Sequence, residues 1–420
     1  MKKKMLSLLL VGAMASSMLV PAAVSAEEND KVKLTFYGWS DEESYLQPLF
    51  DAFNEQSETS YIEPQYCAVG EYEEVVLSAL SAGTPIDVLA INGLSPMSNY
   101  QTKEILMDMT EFADAAGFDP AATYQDTYSG ANEGGMYGIP YRMAVWFMYY
   151  NKDMFDKYGI EIPKTFDNLE AAMQKFVDNG VTPLSEGVAE YPLQHLWWQL
   201  VLSKANDKFI KNYEMYDGDV DWQGEATTYA TKTIKDWVSK GYISKDCTGT
   251  KAEDAGQGFM NGTYPMFFSG TWWFGRFQSD MKNANWTFST FPDTDKVVGS
   301  SGNIWVIPEN SKKKDLAAQF IDITLSDEVQ DLMGNSGGLP IAADPDKITD
   351  EKTKELITSF NGVLEKNALG FYPDWPTSTF YDELNSSLQE LVNGTSGVKD
   401  VLNQMKDNYD KGVEAAGVKS

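Results

Sequence analysis

Aromatic rings and hydrogen-bonding side chains recur together at a few points of this chain. Trp39 is followed by Asp41, Glu42 and Glu43; Tyr141, Arg142 and Trp146 share one short segment; Trp272, Trp273 and Arg276 share another. Asn92 stands after an apolar run, His195 has Tyr191 and Gln194 nearby, and Trp375 precedes Tyr381. This mixture suits a sugar. A pyranose ring has an apolar C–H face that stacks on indole or phenol and buries aromatic area. Its hydroxyls both donate and accept, so carboxylates, amides and a guanidinium can hold them through charge-assisted bonds. The chain carries 11 Trp, 22 Tyr and 21 Phe, more than a core needs.

Other chemistries are less well served. His195 is the only histidine, so a histidine-built zinc centre is unavailable and a Ser-His-Asp arrangement would hang on one residue. Asp217, Asp219 and Asp221 imitate the start of a calcium loop, but Trp222 and Thr228 stand where that loop needs Gly and Glu. We read a turn there, and expect no metal and no cofactor. A formal charge of −29 repels phosphate backbones and argues against nucleic-acid binding. Carboxylates are plentiful, so a secreted glycoside hydrolase, which needs two of them about 5–10 Å apart, stays open. So does a binding protein for a non-sugar solute such as a polyamine. Asp41, Glu42 and Glu43 also suit the acidic first turn of a helix.

The elements that position these residues follow from periodicity. Lys2–Lys4, the apolar stretch Met5–Val20, Pro21 and the small residues Val24-Ser25-Ala26 read as a signal peptide over 1–26. The stretch is short for a spanning helix of ~20 residues, and no cysteine precedes Cys67 to take a lipid. The chain is expected outside the cytoplasm, in a periplasm or at the cell surface. Alternation predicts a strand over Lys31–Tyr37, helical spacing follows at Leu46, Leu49, Phe50 and Phe53, and Tyr61–Tyr66 reads as a second strand. A helix over Glu71–Ala82 and a strand over Asp87–Ile91 complete a β-α-β-α-β order, which implies a mostly parallel sheet. Further strands are expected at Ala144–Tyr150, Thr263–Ser269 and Asn303–Ile307, with two helices at the end. The candidate residues follow strands, where open α/β sheets bind ligands, and clefts between domains are favoured sites.

Several strings are more specific. They are Leu80-Ser81-Ala82-Gly83-Thr84-Pro85-Ile86-Asp87-Val88; Gly138-Ile139-Pro140-Tyr141 with Tyr150-Asn151-Lys152-Asp153-Met154-Phe155; and Pro163-Lys164-Thr165-Phe166. Phe259-Met260-Asn261-Gly262-Thr263-Tyr264-Pro265-Met266 with Gly270-Thr271-Trp272, and Gly338-Leu339-Pro340, follow in order. Together they resemble the extracellular solute-binding proteins of bacterial ABC importers, in the group containing maltose- and oligosaccharide-binding proteins. The resemblance covers nearly everything after residue 26. It departs at Ile86, where a Pro is usual, and at Ile91, where some members place a stacking aromatic. It implies a periplasmic-binding-protein-like α/β fold: two lobes, a hinge and an inter-lobe cleft. Residues 27–140 and 300–345 would form one lobe, 141–299 and 346–420 the other, with Cys67 and Cys247 on different lobes as buried free thiols. It implies stacking roles for Trp272 and Tyr381. It also implies a monomer, not an enzyme, that captures a carbohydrate by hinge closure and hands it to ABC transporter permease subunits.

Overall fold

The computed structural model describes residues 31–68, 71–92, 105–111, 136–215, 218–300, 303–341, 344–366, 368–370 and 379–415. The expected signal peptide and Trp375 lie outside them. In β1 (Val32–Trp39) Leu34 and Phe36 are buried as their spacing predicts, but Val32 and Lys33, at the strand's start, are both exposed. Helix α1 (Glu43–Gln56) turns Leu46, Leu49, Phe50 and Phe53 inward, as their spacing predicts. The chain then forms β2 (Ser60–Cys67), α2 (Tyr72–Ser81), β3 (Val88–Asn92), the short β4 (Ile139–Pro140) and β5 (Ala144–Asn151). Every residue of β5 is buried, as its unbroken apolar run requires of a strand covered on both faces.

Helices α3 (Lys152–Tyr158) and α4 (Phe166–Asp178) start where side chains cap them. Asn151 accepts from the Met154 N–H and Thr165 from the Asn168 N–H, each at 3.2 Å. Next come β6 (Leu184–Ser185), α5 (Leu193–Leu202), α6 (Asp207–Met215), α7 (Glu225–Lys240) and α8 (Ala252–Met260). Then follow β7 (Met266–Gly270), α9 (Phe274–Asp280), β8 (Trp286–Ser289), β9 (Gly299–Ser300) and β10 (Asn303–Val306). The remaining helices are α10 (Lys314–Thr324), α11 (Asp327–Asn335), α12 (Glu351–Glu365), α13 (Phe380–Asn393) and α14 (Val398–Ala415).

Two separate sheets result. The first is five-stranded with order β2-β1-β3-β10-β4; the second runs β6-β7-β5-β8, with β9 also paired to β5. Parallel pairing holds among β1, β2 and β3 and between β6 and β7. β10 is antiparallel to both β3 and β4, and β5 is antiparallel to β7, β8 and β9. The reason is topological. Strands joined by successive helical crossovers run parallel, whereas β10 and β5 enter their sheets from the other sheet, and that entry sets their direction. The strand expected from Thr263 begins instead at Met266, because the Thr263 and Tyr264 N–H groups close a turn onto the Gly258 carbonyl.

The chain passes from β4 to β5, and so between the sheets, at 141–143; later it leaves β9, which ends at Ser300, and re-enters the first sheet as β10, which begins at Asn303. The 141–143 pass lies beside the start of β10, with the Tyr141 N–H donating to the Asn303 carbonyl at 3.2 Å. A further run, Gly338–Ile341, joins them: the Met143 N–H donates to the Leu339 carbonyl at 2.8 Å. Both cysteines are free; Cys247 is buried, but Cys67, at the end of β2, is only half-buried.

Candidate functional site

One 3-10 turn follows β1 at Ser40–Glu42, and another follows β7 at Thr271–Trp273. Each therefore lies beyond the carboxyl end of a strand, one strand from each sheet, and the two turns lie against one another. What they carry defines the candidate site.

Trp272 is the centre of an aromatic box. Its ring lies across Gly270, where a Cβ would come 1.9 Å from the indole Cζ3, so glycine is required there for the ring to sit flat. Its Nε1–H donates to the Tyr191 hydroxyl at 3.0 Å. Trp146 meets it edge-on, with centroids 5.0 Å apart at 84°, and Tyr191 does so at 5.7 Å and 87°. His195 stands 5.1 Å from both Trp146 and Tyr191. Fully buried among rings, His195 has its pKa driven down by desolvation to about 3, so it is neutral at physiological pH. Trp272 keeps 7% of its surface exposed, while Trp146 keeps none.

Asp41 supplies the polar edge. Burial, reinforced by the neighbouring Glu42 charge, raises its pKa to about 7, with Arg142 and Arg276 pulling the other way. Its Oδ1 is shielded from solvent and has no hydrogen-bond partner. Burial first, then the Asp41 charge, pushes up the Tyr191 phenol, and Tyr381 is also felt there. Electrostatics thus groups Asp41, Tyr191, Arg276 and Tyr381 with the aromatic box. The half-buried Arg276 is partly committed: it bonds Glu253 through two nitrogens, at 2.7 and 2.8 Å, and lies 4.5 Å over the Trp273 ring.

Other candidates go elsewhere. Glu42, Tyr141 and Arg142 are interior and bond one another: the Arg142 Nε–H donates to Glu42 Oε1 at 3.1 Å and the Tyr141 hydroxyl to Oε2 at 2.6 Å. Their polar atoms face inward because they sit where the sheets join. Trp273 is 1% exposed and packs on Phe267 and Phe277, inside the second sheet's core. Trp39 is half-buried against Tyr72, with centroids 4.3 Å apart, and Glu43 is exposed. The Asn92 side chain and Trp375 lie outside the described residues. Sequence reasoning passed over Tyr191 as a ligand candidate, although its place beside His195 was a signal. It also passed over Asn303, whose Nδ2 donates to Glu42 Oε1 and which nothing local distinguishes. Among the described residues, no group of three or more His, Cys, Asp or Glu side chains could hold a metal ion, and no helix is long and apolar enough to cross a membrane.

A stacking ring with an acidic edge is suited to a flat, hydroxyl-bearing ligand. Known proteins place the fold. The chain is 25% identical to an alpha-glucosides-binding periplasmic protein of Rhizobium meliloti, over 67% of this chain and 62% of that relative. It is 22% identical to a maltooligosaccharide ABC transporter solute-binding lipoprotein of Streptococcus pneumoniae, over 94% of this chain and 92% of the other. A solved chitin oligosaccharide binding protein superposes with a TM-score of 0.76 at 19% identity, covering 91% of this chain and 99% of that one. The chain shares its periplasmic-binding-protein-like fold. Residues 38–331 match the family model for the bacterial extracellular solute-binding protein, so this chain belongs to that family.

Proposed function

We propose that this protein captures a carbohydrate, of the oligosaccharide class, outside the cytoplasm and delivers it to the permease subunits of an ABC importer. The observation that carries the reading is Trp272: a ring held by Gly270 and Tyr191, with the turn that bears Asp41 lying against its own turn. Relatives named for alpha-glucosides and maltooligosaccharides support the ligand class. Residues 27–140 and 300–345 form one lobe in this reading, and 141–299 with 346–420 the other. An open form takes the sugar on one lobe; the second lobe closes about the connections between the two sheets and adds its contacts. The sugar favours the closed form only through contacts unique to it. The protein acts as a monomer, and it binds without cleaving.

Trp272→Ala tests the site. Loss of one stacked ring costs about 1–3 kcal/mol, so oligosaccharide affinity should fall roughly tenfold to a hundredfold in calorimetry, with the fold retained. Unchanged affinity would remove Trp272 from the site.

A further inference from the structure

The carboxylate of Glu42 gathers residues that are far apart in sequence. Its Oε1 accepts from Arg142, through Nε at 3.1 Å and through Nη2, and from the Asn303 amide; its Oε2 accepts from the Tyr141 hydroxyl at 2.6 Å. Tyr141 and Arg142 belong to the 141–143 pass between the sheets, and Asn303 is the first residue of β10. The 141–143 pass and the start of β10 are therefore held by one side chain, which is itself the last residue of the turn after β1. Glu42 and Arg142 are 3% and 4% exposed, so little water competes for these bonds. Arg142 also lies 5.7 Å over the Tyr45 ring. The surroundings hold the 141–143 pass firmly. Tyr141 stacks on Trp305 at 3.7 Å and 16°. Gln330 donates to the Tyr141 carbonyl at 3.2 Å and accepts from the Ile341 N–H at 3.0 Å, which brings in the third run.

A buried ion pair of this kind is a poor device for stability alone. Desolvating both charges offsets most of their attraction, and apolar replacements are often as stable. Its position is more informative. Asp41, the neighbour of Glu42 in the same turn, offers a carboxylate oxygen with no partner to the site. A displacement of that turn by a ligand is carried by its next residue directly to the 141–143 pass and the start of β10.

We propose that Glu42 is a positioning residue: its carboxylate clasps the 141–143 pass and the first residue of β10 to the ligand-binding turn and so sets the resting angle between the lobes. Ligand hydroxyls held by Asp41 act on the hinge through this clasp. The coupling rests on the hinge-closure reading above, whereas the clasp itself operates without ligand.

The test is therefore made first on ligand-free protein. Spin labels at E55C on α1 and K235C on α7, both exposed in the native chain, in a C67S/C247S background, report the inter-lobe distance by electron–electron resonance. The variants are E42Q, E42D and the double variant E42L/R142M, which removes both charges together and leaves none unpaired. Melting temperatures and circular dichroism confirm folding. The expected result is a narrow distance distribution in the parent. It should be clearly broader or displaced in E42Q and E42L/R142M, and intermediate in E42D, which keeps the charge with a shorter reach. If the arrangement competent for binding falls to about a tenth of the population, affinity for any oligosaccharide that the parent binds weakens about tenfold. A parent-like distribution in folded E42L/R142M, or in E42D should the double variant not fold, overturns the clasp. Absence of sugar binding by the parent overturns the proposed function instead and leaves the distance result to decide the clasp.

Discussion

At the scale of single residues, the site depends on a glycine and an acid as much as on its tryptophan. A methyl group at position 270 would collide with Trp272 at 1.9 Å, and the ring would have to leave its place. Gly270→Ala should therefore reproduce most of the affinity loss of Trp272→Ala, about tenfold or more, although no ring has been removed; equal binding by parent and variant in calorimetry would refute this. Asp41 makes a pH prediction. Its folded pKa of about 7 lies above the ordinary value of 3.8. Above pH 7 the folded state bears the cost of a partly buried charge; as pH falls toward 3.8 that cost disappears, because the folded carboxyl is already protonated. Asp41→Asn should thus stabilise the ligand-free protein at pH 8 by about 1–2 kcal/mol, allowing for the partial exposure of the group, with no gain near pH 4. Urea melts at the two pH values decide it. Trp272 was proposed from the sequence because Gly270-Thr271-Trp272 matches a family string; the structure places it in the aromatic box, and its role in binding remains part of the proposal. The role of Glu42 was not legible, because its partners at 141, 142 and 303 are remote and an acid before a helix looks like an ordinary first turn.

At the scale of elements, contact between the two sheets is close at α9 and the loop after α11. Gly337 adopts a φ of +85°, and a Cβ there would come 2.5 Å from the Gly275 Cα. Gly337→Ala combines a disfavoured backbone with a backbone clash, so it should destabilise by about 1–3 kcal/mol in chemical denaturation and separate α9 from the loop. Gly275→Ala, whose Cβ would meet the Ser336 carbonyl oxygen at 3.2 Å, should cost less. A larger loss for Gly275→Ala would contradict this packing. Alternation and helical spacing made β1, α1, β2, α2 and β3 legible to within a few residues, because each buries one face locally. The antiparallel setting of β5 and β10 was illegible, because the passage between sheets fixes it and leaves no mark on either strand's own pattern. The shortened start of β7 was missed for a related reason. A turn closing on the Gly258 carbonyl competes with the strand, and apolar composition does not reveal which prevails.

At the scale of the whole molecule, the chain forms two sheets, and the proposed hinge lies where it passes between them, with the candidate site against it. The turn after β1 and the turn after β7 meet across the junction, so one ligand touching both would hold the lobes together. The order of family strings along the chain made the fold class readable; the strands form two sheets, with β4 and β10 in one and β5 and β9 in the other. Loop shape at the cleft, which selects sugar length and linkage, is set by packing that local sequence does not encode. The central claim is capture of a carbohydrate without conversion. The most direct measurement is titration calorimetry of the purified chain, lacking residues 1–26, against a panel of oligosaccharides of differing length and linkage, with chromatography of each sugar afterwards. The account predicts saturable one-to-one binding of at least one oligosaccharide, recovered intact. Cleavage of a glycosidic bond, or no binding across the panel, would contradict it.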